Sequence, residues 1–206
     1  MTMIKIYGEF GPYLSQIKDD VIKKLAILNQ RECDNNSTKL YEHLIGRVKA
    51  EDSMIEKCQR KGLPLSPHSA LYECRDAIGI RIVCNFIDDV YRALTLLRAA
   101  DWCEIVKEKD YITRSKPNGY RSYHLILKVT TPYPSVLADT AGTYFVEIQL
   151  RTIAMDSWAS LEHEMKYKHS ITNSKQIVKE LKRCADQLAS CDVQMQTIRQ
   201  LIHEED

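Results

Sequence analysis

The chain has 206 residues, with 29 Lys and Arg against 28 Asp and Glu and seven cysteines; 44% of its residues are hydrophobic and 28% charged. This length suits one domain with an appended helical element and buries a core without disulfide or structural metal, and the composition excludes wholesale disorder. No stretch approaches the roughly 18 consecutive apolar residues of a membrane span; the start MTMIKIYGEFGPY lacks a secretory apolar region, and an odd set of cysteines without a C-x-x-C pair predicts reduced thiols in a cytoplasmic protein.

From Pro12 to about Glu32 the spacing of Leu14, Ile17, Val21, Leu25 and Leu28 predicts a helix. The polar run Asp34-Asn35-Asn36-Ser37 breaks it and supplies an N-cap for a second helical stretch, from Thr38 towards Arg60, interrupted near Gly46 to Lys49. Gly62-Leu63-Pro64 with Pro67 reads as a loop. Ile78 to Phe86 reads as a strand, with Ile78, Ile80, Ile82 and Cys84 on one face and Gly79, Arg81, Val83 and Asn85 on the other. Ile87 to Arg98 is an amphipathic helix opening with Asp88 and Asp89. Trp102 to Ile112 is extended, and Ser115-Lys116-Pro117-Asn118-Gly119 is a turn.

Tyr120 to Val129 and Thr143 to Arg151 complete the strands. In the last, Tyr144, Val146, Ile148 and Leu150 point one way and Glu147, Gln149 and Arg151 the other, so an acid, an amide and a guanidinium line one face. Ala154, Trp158, Leu161 and Met165 mark a helix. Ile177, Leu181, Cys184, Leu188, Cys191, Met195, Ile198 and Ile202 form a heptad seam. That seam suits a long helix lying on its own domain and an oligomerising helix equally.

None of the seven glycines builds a P-loop or a G-x-G-x-x-G turn, so phosphate binding must come from side chains. Two basic clusters offer it. Arg47, Lys49, Lys57, Arg60 and Lys61 form one; Lys109, Arg114, Lys116 and Arg121 form the other, interleaved with Tyr111 and Tyr120. Cations beside an aromatic on a tight turn suit a nucleotide, through charge-assisted phosphate bonds and base stacking; either cluster alone better suits a solvated basic face, and two of them beside strand-borne acids shift that balance. Asp76, just before a strand, and Glu147, in the middle of another, are the acids. Two carboxylates on neighbouring strands can hold Mg²⁺ when a nucleotide supplies the other oxygens. His124 stands on the polar face of its strand. These residues together predict an Mg²⁺-dependent nucleotide enzyme and leave the reaction open.

At these same positions the chain resembles the RelA/SpoT-type alarmone synthetases, and most closely the stand-alone small alarmone synthetases. Four segments carry the resemblance in order: GRVKAEDSMIEKCQRK, RDAIGIRIVCNFIDDVYR, KDYITRSKPNGYRSYHLIL and VEIQLRTIAMDSWASLEHEMKYK. The resemblance implies an α+β fold, a nucleotidyltransferase-like mixed β-sheet flanked by helices over 1–170, with a long C-terminal helix over 171–206 as an oligomerisation element. It implies transfer of the β,γ-diphosphate of ATP to the 3′-hydroxyl of GDP or GTP, giving (p)ppGpp and AMP. Arg47 and Arg81 match the pair that sandwiches adenine; Lys49, Ser53, Lys57 and Arg60 match positions that grip the ATP phosphates. Asp76 and Glu147 match the Mg²⁺ site, and Glu147 also the residue that activates the acceptor hydroxyl. Tyr120 matches the tyrosine that stacks on guanine, Lys109, Lys116, His124 and Gln149 match acceptor-side positions, and Asp156 falls where the family reads the guanine edge.

The resemblance has departures. The common D-I-A-G-[LI]-R reads Asp76-Ala77-Ile78-Gly79-Ile80-Arg81 here, position 109 is Lys where some relatives have Arg, and 156 is Asp where some have Asn. The chain has neither the length nor the His-Asp dipeptide of the family's hydrolase domain, so synthesis without degradation is expected. Stand-alone relatives are commonly homotetramers built through terminal helices. Two rival readings keep the same residues: a toxic relative that acts on tRNA 3′ ends or makes an adenosine alarmone, and a catalytically silent nucleotide- or RNA-binding regulator, which the tyrosines and basic clusters permit.

Overall fold

The computed structural model describes residues 5–138, 141–168 and 174–205. A short 3₁₀ turn at Gly8–Phe10 leads into helix α1 (Gly11–Asn36), which has Pro12 in its first turn. Leu14, Ile17, Val21 and Leu25 are buried along one face of α1, as their spacing predicts. The helix runs through Asn36 and ends where Ser37 turns left-handed (φ 54°) and its N–H reaches the Cys33 carbonyl. The Asp34–Ser37 run therefore closes a helix and caps no second one.

The expected helical stretch from Thr38 is corrected. Its first part is strand β1 (His43–Val48), and only Glu51–Arg60 forms a helix, α2. Gly46 explains the difference. A Cβ there would lie 2.6 Å from Ile22 Cδ1 and 3.1 Å from Lys18 Cγ, so the glycine is where α1 crosses the strand, not where a helix falters. α2 carries Glu51 and Asp52 in its first turn and Lys57 and Arg60 in its last, matching the helix dipole at both ends.

After the 62–67 loop a π-helical turn (Ser69–Glu73) leads to β2 (Ile78–Cys84), then α3 (Ile87–Arg98), where Asp89 accepts the Phe86 N–H at the entry. Strands β3 (Cys103–Asp110), β4 (Tyr123–Thr131) and β5 (Gly142–Thr152) follow, then helices α4 (Ile153–Lys168) and α5 (Ser174–Glu205). The sheet order is β1-β2-β5-β4-β3, with β2 and β5 parallel and the other pairs antiparallel. This is the expected mixed sheet of an α+β fold.

One sheet face packs α1 and α3: Ile78, Ile80, Ile82, Leu125, Leu127, Val146, Ile148 and Leu150 are buried there against Leu14, Ile17, Val90 and Leu97. Burying side chains of this size contributes about 1.5–3 kcal/mol each, and this face holds the molecule together. A second, smaller core joins α4 to α5 through Trp158, Ala159, Leu181 and Ala185, with Tyr120, Ile177 and Leu188 packed against it. The other sheet face is open and polar over its middle, with Phe145 at one end and Val83 and Arg151 at the other buried. Among the described residues no helix is long and apolar enough to cross a membrane.

The C-terminal seam divides between two sides of α5. Ile177, Leu181 and Leu188 do turn inward, but Cys184, Cys191, Met195, Ile198 and Ile202 are exposed. The stripe that α5 turns to its own domain includes Ala185, Asp192, Gln196 and Arg199 instead. Thr152 Oγ1 donates to Asp192 at 2.6 Å, Gln196 pairs with Asp88, and Arg199 with Asp89 at 2.7 Å. Small and polar residues form this contact, so an apolar pattern alone misplaces it by one residue.

Candidate active site

Strand register assembles the site. Across the open face one row runs Lys109, His124, Gln149, Arg81 and Ile45, from β3 to β1; the adjacent row runs Lys107, Ile126, Glu147, Gly79 and Arg47. Residues two apart on a strand share a face, so five strands present two parallel lines of cations around one acid. α2 leans over the same edge and adds Lys57.

Asp76 is delivered by an unusual piece of backbone. Arg75, just before it, is left-handed (φ 60°), a conformation that costs about 1–2 kcal/mol for a residue with a Cβ. Its guanidinium lies over Phe145 at 4.5 Å and Tyr72 at 5.2 Å, and its Nε donates to the Tyr72 carbonyl at 2.9 Å. That stacking holds the reversal and turns Asp76 inward, where it is 8% exposed. Its Oδ2 accepts from Lys49 and from Lys57, the latter at 2.5 Å. Its Oδ1 is buried with no hydrogen-bond partner among the described residues.

Glu147 lies in the middle of β5, with Oε2 accepting from Gln149 at 2.9 Å and Oε1 at 3.6 Å from His124 Nδ1. Burial pushes its pKa up, but His124, the Gln149 amide and the Lys57 ammonium together outweigh burial and hold it down at about 2. Glu147 is therefore ionised at neutral pH.

These two carboxylates are shared walls. A cleft of about 230 Å³ is lined by Arg47, Lys49, Asp76, Gly79, Arg81, Glu147 and Gln149. A second, of about 590 Å³, is lined by Lys57, Arg60, Lys109, Lys116, His124 and again Asp76 and Glu147. Gly79 leaves the floor of the first cleft open: a Cβ there meets nothing within 4 Å.

At the rim, Lys116 N–H bonds to the Tyr120 carbonyl and Gly119 N–H to the Lys116 carbonyl, closing the expected turn, and Gly119 takes φ +92°. Tyr120 Oη lies 2.8 Å from His124 Nε2, and Lys116 Nζ sits 4.6 Å from the Tyr120 ring centre and 4.8 Å from that of Tyr111. Asp156, in the first turn of α4, accepts from Arg81 at 3.0 Å and Arg151 at 2.9 Å. Burial first, and then the neighbouring Arg151, pull the Arg81 pKa down.

Of the residues singled out from sequence, Arg47, Lys49, Asp76, Arg81, Glu147 and Gln149 meet in the first cleft, and Lys57, Arg60, Lys109, Lys116 and His124 in the second. Tyr120 and Asp156 are tied to these walls by hydrogen bonds. Ser53 lies exposed on α2 and lines neither cleft. Arg121, grouped by sequence with the second basic cluster, turns away: it donates to Asp186 at 3.1 Å and to the Ala185 carbonyl on α5. Sequence reasoning passed over Lys107 and Arg75, which line the larger cleft. Lys107 stands two residues before Lys109 on the same strand face, a signal that was legible.

Asp76 and Glu147 fit a divalent cation on two grounds: one buried carboxylate oxygen lacks a partner, and the other acid stays ionised. No group of three or more His, Cys, Asp or Glu suited to a metal exists among the described residues. A cation here must therefore share its coordination with a ligand's oxygens or water, as hard cations bound with phosphates do.

Residues 46–172 match the model of the region found in RelA and SpoT proteins, and the chain belongs to that family. It is a RelA/SpoT-family enzyme of the small alarmone synthetase type. It is 39% identical over 168 residues to the GTP pyrophosphokinase YwaC of Bacillus subtilis, covering 82% of this chain and 78% of that one. It is 33% identical over 193 residues to YjbM, a GTP pyrophosphokinase of the same organism, covering 94% and 88%. Among solved structures, small alarmone synthetase 1 of B. subtilis bound to its product pppGpp superposes with a TM-score of 0.81 at 32% identity, covering 92% of this chain and 94% of that one. A GTP pyrophosphokinase family protein from Streptococcus pneumoniae reaches 0.84 at 31% identity, covering 100% and 97%.

Proposed function

We propose that this protein transfers the β,γ-diphosphate of ATP to the 3′-hydroxyl of GDP or GTP, releasing AMP and forming (p)ppGpp. One observation carries this reading: Asp76 and Glu147 stand between two clefts of different character. The smaller is flanked by two arginines, whose planar groups suit an adenine base. The larger is ringed by cations with a tyrosine at its rim, suited to the phosphates and base of a second nucleotide. Stacking on Tyr120 brings the base to the ring that Lys116 now covers.

The reaction forms a bond from the acceptor 3′-oxygen to the β-phosphorus and breaks that phosphorus's bond to the bridging α-oxygen, which leaves on AMP. Such transfers pass through loose transition states and depend mainly on in-line positioning and charge neutralisation. The donor phosphates run from Lys49 in the smaller cleft past Asp76 to Lys57 and Arg60 in the larger; Lys109, Lys116 and His124 hold the acceptor there, and Gln149 faces the smaller cleft. Mg²⁺ held by Asp76 and Glu147 would neutralise charge between the two sets of phosphates. Glu147 also accepts the hydroxyl proton. A carboxylate with a pKa of about 2 is a weak base, which is sufficient where the hydroxyl loses its proton only as the bond to phosphorus forms. Cytoplasmic location and assembly as a homotetramer belong to the same reading. The exposed Leu161 and Met165 of α4 and Met195, Ile198 and Ile202 of α5 offer apolar surface for assembly.

The test is product analysis with γ-labelled ATP and Mg²⁺, offering GDP, GTP, AMP, ATP or deacylated tRNA in separate reactions. Label on GDP or GTP is expected. Label only on tRNA or an adenine nucleotide would reassign the acceptor, and no transfer would leave a nucleotide- or RNA-binding regulator.

A further inference from the structure

Arg151 ends the polar face of β5, yet its side chain is only 5% exposed, so it is placed to meet protein and not ligand. Its donors go to three different elements. Nη1 donates to Asp156 Oδ1 on α4 at 2.9 Å; Nη2 donates to Tyr120 Oη on the 115–120 turn at 2.8 Å and to Gln149 Oε1 on β5 at 3.0 Å. Its guanidinium carbon also lies 5.2 Å from the centre of the Tyr120 ring. Two of these acceptors, Asp156 and Tyr120, are residues assigned above to the acceptor side, and Gln149 joins them from the smaller cleft; among the described residues no backbone carbonyl joins them.

The geometry at Asp156 gives this arrangement a purpose. Arg81 and Arg151 both bond to Oδ1. Two guanidinium groups thus fix one oxygen of the carboxylate and leave Oδ2 for a ligand, in an orientation set by a rigid planar fork. A carboxylate oxygen held this way accepts from a purine edge carrying adjacent N–H donors, which guanine has and hypoxanthine has only in part. The same fork holds the phenol of Tyr120, the stacking surface. We propose that Arg151 is a positioning residue for acceptor specificity: it sets the stacking tyrosine and the edge-reading carboxylate at one fixed angle, and so sets preference for guanine over hypoxanthine. This rests on the reading of the larger cleft as a guanine-nucleotide site.

The experiment is a binding titration of GTP and of ITP in the presence of a non-hydrolysable ATP analogue, on the wild type and Arg151→Lys. Lysine keeps the charge but loses the fork. The variant is expected to bind GTP about tenfold more weakly, the effect of losing one or two charge-assisted hydrogen bonds, with its GTP-over-ITP preference largely gone and ATP-analogue affinity within about twofold. Preference retained in Arg151→Lys would overturn the proposal, as would equal weakening of all three nucleotides. Tyr120→Phe guards against a fold defect in the first variant. It removes one prong and keeps the ring and Asp156, so GTP and ITP should weaken together with the preference intact; unchanged binding of both would count against the fork. Wild-type protein that binds GTP in preference to ITP but transfers nothing would sink the reaction and leave this inference standing. Wild-type protein without that preference would sink the inference.

Discussion

The two clefts share their acids but are built in different ways. The smaller is made by the sheet: Arg47, Gly79, Arg81, Glu147 and Gln149 stand where strand register puts them, and their spacing cannot change without shifting a strand. The larger depends at its rim on a turn, Lys116 to Tyr120, which is fastened by side chains and backed by α5. A Cβ on Gly119 would meet Ala185 Cβ at 2.5 Å and Lys182 Cα at 3.1 Å, and Arg121 pins the same turn to Asp186. The sheet-built half should therefore tolerate perturbation of the C-terminal helix, and the turn-built half should not.

Substitutions can break this comparison. The largest effect is expected where the halves meet: Glu147→Gln should lower turnover by about a hundred- to ten-thousandfold, while an ATP analogue still binds; retained turnover would remove Glu147 from its role. Gly79→Val fills the floor of the smaller cleft, where its Cβ meets nothing within 4 Å. It should raise the KM for ATP by about tenfold or more without lowering the melting temperature, since valine suits a strand better than glycine. Tyr120→Ala should raise the KM for the guanine nucleotide by about five- to a hundredfold, the range of one lost stacking contact, and leave ATP nearly untouched. An equal loss of both would mean the halves are not separable. Gly119→Ala strains a positive φ against α5 and should weaken the guanine nucleotide several-fold while lowering stability by about 1 kcal/mol or more.

The smallest expected effect concerns pH and contrasts a half-buried acid with a buried one. Glu147, beside cations, has its pKa lowered, so it contributes stability that is fully present above its ordinary value of 4.5 and lost as pH falls towards about 2. Asp192, on the inward side of α5, has its pKa raised by burial. It favours the folded state at low pH and loses that contribution as pH rises through its folded value. Asp192→Asn should then gain melting temperature over the wild type at pH 7, by about 2–4 °C for each kcal/mol relieved, and gain little at pH 4. A gain at pH 4 equal to that at pH 7 would show that Asp192 is ionised in the fold.

Much of this was legible in the sequence, and what was not has identifiable causes. Periodicity located α1, α3, β2 and β5 because each buries one apolar face. It missed β1, whose run around Gly46 has no strong alternation and whose glycine answers to a helix distant in the sequence. The inward stripe of α5 departs from the apolar seam by one residue, since Ala185, Asp192, Gln196 and Arg199 make that contact with little apolar surface. In the site, the carboxylates and most cations could be named from residue type and order, and the pairing of strands then brought them together. Arg151 was placed on that polar face with Glu147 and Gln149, but its burial was not legible, because an arginine there looks exposed until α4 and the 115–120 turn are seen closing over it. Arg121 failed the other way, since a basic residue beside Tyr120 gives no sign that it faces α5.

The C-terminal helix has two working sides. Towards its own domain it carries the groups that brace Gly119, Arg121 and Tyr120; outward it carries Met195, Ile198 and Ile202. A rigid rod passes a tilt applied at one end to the other. In the assembly proposed above, contacts on the outer side would change the angle at which the rim meets its base without touching the sheet, and sensitivity to the second nucleotide would then vary with protein concentration while that to the first stayed constant.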